Sequence, residues 1–218
     1  MDSKFNESYV GGRPDILRLV PFESRRILDV GCSIGILGKE IKLRQEAEVV
    51  GVESNCEMAA VAKDNLDRIY NADAESFFVD NILPTEYFDC IIFADILEHL
   101  KNPWAVLVKA QKLLNNHGVI IASIPNVRHF STLLSLFVGI WPYRDRGIHD
   151  RTHLRFFTLN NIRELFVNAG LKIVKLEKKF RIIEAPNNIN RISFIFLIFP
   201  LNDFFVFQYL IVSRKLIK

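Results

Sequence analysis

Four acids and two glycines are the residues best suited to chemistry. Asp29, Glu53, Asp73 and Asp95 each stand at or just after the end of a short, largely apolar run. The turn Gly31-Cys32-Ser33-Ile34-Gly35 lies between the first two. Gly31 and Gly35 let the backbone bend sharply and let a ligand come close to it. A helix opening near Gly35 aims unpaired N–H groups and a partial positive charge at the same place. A carboxylate about 20 residues beyond such a turn can accept both hydroxyls of a ribose. That carboxylate is Glu53, followed by Ser54. Asp73, next to Ala74, can accept from an adenine amino group, and Asp29 can meet an ammonium directly or through water. Together these groups describe a site for an adenosine joined to an amino acid.

The elements that must position them follow from the spacing. Arg26–Val30, Val49–Glu53, Arg68–Ala72, Phe88–Ala94 and Val119–Ile124 read as five buried strands. Helices are predicted over Pro14–Leu19, Ile36–Leu43, Met58–Asn65 and the stretch from Asn102-Pro103 to a stop at His117-Gly118. A further helix is capped by Thr158 and stopped by Gly170. Leu171–Phe180 and Phe204–Ser213 complete a set of seven strands. Strands alternating with helices predict an α/β fold, a mostly parallel sheet with helices on both faces. Ligands of such sheets sit at the carboxyl ends of the strands.

These blocks, in this order, resemble the class I S-adenosylmethionine-dependent methyltransferases of the small, generic type. Asp29-Val30-Gly31-Cys32-Ser33-Ile34-Gly35 is similar to their glycine-rich first motif. Val50-Gly51-Val52-Glu53 resembles their ribose-binding acid, and Asp73-Ala74-Glu75 their adenine-contacting acid. Phe88–Ile92 with Asp95–Leu100, and Gly118–Asn126, resemble the fourth-strand and fifth-strand blocks. The likeness covers residues 24–126, and Phe157–Gly170 fits the late helix. It implies a Rossmann-like class I methyltransferase fold, S-adenosylmethionine as cofactor and a small-molecule acceptor methylated at O or N. The implied cofactor-binding residues are Asp29, Gly31, Cys32, Ser33, Gly35, Glu53, Ser54, Asp73, Ala74 and Asp95. Ser33 departs from the pattern, which has glycine there.

Three other readings compete with this one. Gly31-Cys32-Ser33-Ile34-Gly35 fits G-x-S-x-G, the nucleophile elbow of an α/β-hydrolase with Ser33 as nucleophile. That elbow follows several strands, whereas this one follows the first, and the hydrolase reading leaves Glu53 and Asp73 without a role. A dinucleotide dehydrogenase fails because the turn lacks G-x-G-x-x-G. A non-catalytic scaffold with the same fold is the main alternative to an enzyme.

The segment Gly147-Ile148-His149-Asp150-Arg151-Thr152-His153-Leu154-Arg155-Phe156-Phe157 is dense in polar groups between aromatic stretches. His149 and His153 are candidates for deprotonating an acceptor hydroxyl. No metal is expected, because no third ligand has suitable spacing to this pair. The segment closes an insertion, 125–157, expected to be an ordered lid that excludes water and selects the acceptor.

The 218 residues suggest one domain, 1–218, with an N-terminal arm and helix at 1–22 and an apolar connection at 181–203. A net charge of +3 with scattered basic residues predicts no nucleic-acid partner. Three cysteines without C-x-x-C spacing, and a polar start at Met1–Glu7, point to a cytoplasmic location. Residues 192–201 and 204–212 are strongly apolar. Neither reaches the roughly 20 residues of a membrane helix. They are read as buried elements in preference to a surface for a membrane or a lipid-like acceptor.

Overall fold

Buried apolar runs in the central strands set the sheet in the computed structural model, which describes residues 11–79, 83–181 and 202–216. The chain runs α1 (Pro14–Leu17), β1 (Arg26–Val30), α2 (Ile36–Arg44), β2 (Glu48–Glu53), α3 (Cys56–Ala62) and β3 (Arg68–Asn71). It continues through α4 (Ala74–Val79), β4 (Phe88–Ala94), α5 (Pro103–Leu113), β5 (Leu114–Pro125) and α6 (Phe130–Phe137). It closes with α7 (Leu159–Asn168), β6 (Leu171–Phe180) and β7 (Val206–Lys215). Short 3-10 turns at Leu97–His99 and Asn202–Phe205 lead out of β4 and into β7.

The seven strands form one sheet in the order β3-β2-β1-β4-β5-β7-β6. The pairs β1–β2, β2–β3, β1–β4 and β4–β5 are parallel. Strand β7 pairs antiparallel with both β5 and β6. The chain steps outward from β1 to β3, then returns to the other side of β1 as β4. Strand order therefore reverses between β1 and β4, where open sheets of this kind hold ligands.

Alternate residues of the strands supply two cores, one on each face. Leu28, Val50, Ile91 and Phe93 pack with Phe77, Leu107, Ile162 and Phe166. Ile27, Val49, Cys90 and Ile92 pack with Ile16, Leu37 and Ile41. The class of fold and the parallel interior are as the sequence predicts.

Three local expectations need correction. The helix before β5 ends at Leu113, not at His117-Gly118. Leu114 is already paired with Phe88, and a register shift between Phe88 and Cys90 lets β5 continue through Gly118. A helix, α4, follows β3 where none was predicted; Oδ1 of Asp73 accepts from the N–H groups of Glu75 at 3.0 Å and Ser76 at 3.1 Å and so caps it. The last strand begins at Val206, because Asn202–Phe205 close a 3-10 turn first.

Between β5 and α7, Asn126 bridges Phe157, so the intervening residues leave and rejoin the sheet at one point. Helix α6 exposes Leu134, Leu136 and Phe137. The apolar residues 192–201, and most of the 181–203 connection, lie outside the described residues, as do 1–10 of the arm. The apolar residues from Val206 to Val212 are buried in β7. Among the described residues, no helix is long and apolar enough to cross a membrane.

Candidate functional site

Parallel register brings the acids to one edge. Asp29 pairs with Gly51, and Glu53 with Asn71, so β1 and β2 end together. Gly31 and Gly35 take φ of +72° and +78°, the left-handed region that favours glycine. A Cβ on Gly31 would lie 2.0 Å from Cδ1 of Ile96, so backbone and β4 loop meet here with no room for a side chain. Gly35 opens α2, and the Asn65 side chain donates to the Ile34 carbonyl at 2.8 Å to hold the turn.

Ser33 also adopts a positive φ, +53°. Its N–H donates to Oε2 of Glu53 at 2.9 Å. The other Glu53 oxygen, Oε1, accepts from the Asn55 N–H at 2.9 Å, with the Ser54 hydroxyl 3.5 Å away. These bonds orient a carboxylate that is only 9% exposed, and Oε2 keeps a lone pair for a further donor. The Ser33 hydroxyl rests 3.7 Å from the Met58 sulfur. Among the described residues no histidine bonds it, so the hydrolase elbow lacks its base.

Asp29 is 2% exposed. Burial pushes its carboxyl up to about 7; Arg13 opposes the rise and Glu53 adds to it. Cys32 is buried, and burial pushes its thiol up as well, which leaves it a neutral group beside the turn.

Asp73 sits at the end of β3, one oxygen engaged in capping α4, with Ala74 as that helix's first residue.

Asp95 has a φ of +58° and follows β4 directly. Its carboxylate is held by Arg13 Nη1 at 2.5 Å, by the Ser123 hydroxyl at 2.8 Å and by the Gln208 side chain. Arg13 also reaches Ser123 Oγ at 3.2 Å and Asp15 Oδ1 at 2.9 Å. Sequence reasoning missed Arg13, because its only local signal is the Gly11-Gly12-Arg13-Pro14 break that reads as the end of an arm.

The two candidate histidines go to different neighbours. His149 is buried, its ring 5.0 Å from that of Trp141 in a T-shaped contact. His153 meets the end of β4 instead. Its Nε2 is 4.0 Å from Glu98 Oε1, and its ring is 4.6 Å from that of His99. The N–H groups of Leu154 and Arg155 both donate to the Glu98 carbonyl at 2.9 Å and tie this loop down. Glu98 is 1% exposed. Burial raises its carboxyl well above the usual range, and the charges of Asp95 and Asp150 add to this. Burial lowers the His153 imidazolium, and the neighbouring His99 acts in the same direction. The expectation of no third ligand near the histidines rested on sequence spacing. The fold supplies Glu98 and His99 from 54 residues away, as His99 and His153 are numbered.

Residues 10–176 match the family described as "Methyltransferase domain". A ubiquinone biosynthesis O-methyltransferase of Cereibacter sphaeroides (strain ATCC 17029) is 29% identical over 165 residues, 72% of this chain and 64% of that protein. The chain thus spans less than two thirds of the length of this curated relative. A SAM-dependent methyltransferase from Archaeoglobus fulgidus superposes with a TM-score of 0.67 at 19% identity, over 96% of this chain and 97% of that one. The magnesium protoporphyrin IX methyltransferase of Synechocystis PCC 6803, solved with bound SAH, gives 0.58 at 15% identity, over 87% and 74%.

Proposed function

Since this chain belongs to the family of methyltransferase domains, we propose that it binds S-adenosylmethionine and transfers the methyl group to a hydroxyl oxygen of a small-molecule acceptor. The observation that carries the reading is the Glu53 carboxylate. It is buried, oriented by the Ser33 and Asn55 N–H groups, and placed beside the Gly31–Gly35 turn. In this assignment Glu53, with Ser54 beside it, accepts the ribose hydroxyls. The backbone of Gly31, Cys32, Ser33 and Gly35 lines the amino-acid end. Asp29 faces the ammonium, and the free oxygen of Asp73, beside Ala74, takes the adenine amino group. Asp95 contributes from the β4 end, where its side chain is 38% exposed. The relative named as an O-methyltransferase supports oxygen as the acceptor atom.

The reaction is an in-line displacement. A lone pair of the acceptor oxygen forms the new bond to the methyl carbon. S-adenosylmethionine, held by the residues named above, would supply the methyl group on a sulfonium that leaves as a neutral thioether. The hydroxyl proton passes to a base, for which His153 at the β4 end is better placed than His149 against Trp141. The electrophile is already activated by its charge, so alignment and exclusion of water supply most of the acceleration. The insertion between Pro125 and Phe157 forms the wall on the acceptor side. Free thiols at Cys32, Cys56 and Cys90 fit a reducing, cytoplasmic setting.

Calorimetric titration with S-adenosylmethionine and S-adenosylhomocysteine tests the cofactor assignment. One site per chain is expected, weakened at least tenfold in Glu53→Ala. Absence of binding to the wild type sinks the proposal. Transfer of a labelled methyl group to members of a phenol and catechol panel tests the acceptor class, and transfer confined to amines overturns oxygen as the acceptor atom.

A further inference from the structure

We propose that Glu98, His99 and His153 form a binding site for one divalent transition-metal ion of the zinc class, at the carboxyl end of β4. One ligand atom from each residue lies within 4.8 Å of the other two.

The hydrogen bonds around the cluster decide which nitrogen of each ring is free. The Thr152 hydroxyl donates to Asp150 Oδ1 at 2.6 Å. Having spent its hydrogen there, it can only accept from His99 Nδ1, 3.0 Å away. Nδ1 of His99 therefore carries the proton, and its Nε2 has a lone pair. His153 Nδ1 lies 3.1 Å from the Ile148 carbonyl oxygen, which can only accept, so Nδ1 is again the protonated nitrogen. Its Nε2 lone pair faces Glu98 Oε1 at 4.0 Å, beyond hydrogen-bond reach. The second Glu98 oxygen, Oε2, is buried and has no hydrogen-bond partner. His153 Nε2 and the Glu98 carboxyl group thus face each other without a hydrogen bond, and a ring nitrogen of His99 belongs to the same cluster. Such an arrangement is costly when buried, and a bound cation relieves it.

The outer contacts are those of a metal site. Imidazole ligands characteristically give their other N–H to a carbonyl, hydroxyl or carboxylate, which fixes ring and tautomer. Here Ile148 and Thr152 do this, and Asp150 in turn holds Thr152. Two imidazoles and one carboxylate suit zinc or a neighbouring first-row ion better than magnesium or calcium, which favour all-oxygen shells. Tetrahedral ligation needs ligand atoms about 3.4 Å apart, so modest side-chain rotations close the site. Three protein ligands leave one position open. On the methyl-transfer reading above, that position takes the acceptor hydroxyl and sharpens its acidity, so that with the ion bound His153 serves as a ligand and not as the base, and the hydroxyl proton leaves to solvent before the methyl group is transferred. The ion would also join the 148–153 loop to the sheet.

The test uses the full chain, stripped with a chelator and titrated with Zn2+ by calorimetry and with Co2+ by visible absorption, without cofactor or acceptor. One ion per chain is expected, with Co2+ bands of a low-symmetry, nitrogen-ligated site and a rise in melting temperature. Glu98→Gln and His153→Gln should each weaken Zn2+ at least tenfold, while His117→Gln, an exposed histidine elsewhere, should leave uptake unchanged. Should Glu98→Gln fail to fold, the pair His99→Gln and His153→Gln carries the test. Failure of the wild type to take up Zn2+, Co2+ or Mn2+, or uptake unaltered in those variants, overturns the site. Binding of S-adenosylhomocysteine, measured on the same samples, reports separately on the cofactor assignment.

Discussion

The Ser33 N–H donates to Glu53 Oε2 at 2.9 Å, and joins the turn after β1 to the end of β2 across 20 residues. A residue at φ +53° is held in place by the carboxylate that the ribose assignment needs. Turn geometry and the proposed ribose-binding group are thus one structure.

Replacing Glu53 by Gln should damage both. The amide keeps one acceptor, so either the Ser33 or the Asn55 N–H faces an NH2 group. Losing a charge-assisted bond of this kind costs about 1–3 kcal/mol. Affinity for S-adenosylhomocysteine should fall about 10- to 100-fold. Denaturant unfolding and calorimetry on one preparation check both effects, and an unchanged affinity would remove Glu53 from the site.

Ser33→Gly should be tolerated. The left-handed region costs an L-residue about 1–2 kcal/mol. Glycine avoids this but loses about 0.5–1 kcal/mol in chain entropy. Stability should therefore hold or rise by up to about 1.5 kcal/mol, with cofactor affinity within about threefold of wild type, because the N–H bond to Glu53 survives. A large loss of stability in urea would show that the hydroxyl's contact with Met58 matters more than the backbone.

On the proposed assignment of Asp29 to the cofactor's ammonium, its burial should make cofactor affinity depend on pH. Its folded carboxyl titrates at about 7, against 3.8 without the fold, so the folded chain holds a proton that the unfolded chain has released. For this group the ligand-free protein is most stable below about pH 4, and that contribution is lost as pH rises towards 7. A cationic ammonium favours the ionised form. Affinity for S-adenosylmethionine should therefore climb as pH rises towards about 7 and level off above it, with a proton released on binding at lower pH. Calorimetry in buffers of different ionisation enthalpy measures that proton. Asp29→Asn should abolish both the slope and the release; if the slope persists, another group is responsible.

Arg13 reports on the same charge from the other side, as its guanidinium opposes the rise at Asp29. Arg13→Ala should move the midpoint of the affinity profile to higher pH. It should also cost about 1–3 kcal/mol, because Asp95 and Asp15 both lose a charged donor. Melting should fall by roughly 2–4 °C per kcal/mol for a chain of this size. A midpoint that moves to lower pH would contradict the electrostatic account.

The sequence by itself determined what short-range rules control. The apolar runs that close at Val30, Glu53 and Ala94 read as buried strands, and Gly31 and Gly35 as a tight turn. Because the strands are parallel, their acids had to share an edge. Element ends were less legible. Leu114 joins β5 because Phe88 is there to pair with it, and α4 forms because the Asp73 carboxylate turns back on its own backbone. The tertiary structure alone decided which distant groups meet. Arg13 reaches Asp95 across 82 residues, at the ends of β4 and β5. His153 faces Glu98 and His99 while His149 lies against Trp141, because the Glu98 carbonyl captures the N–H groups of Leu154 and Arg155. No period or spacing encodes such a meeting: it depends on where the sheet has already put the end of β4 when the loop returns to it.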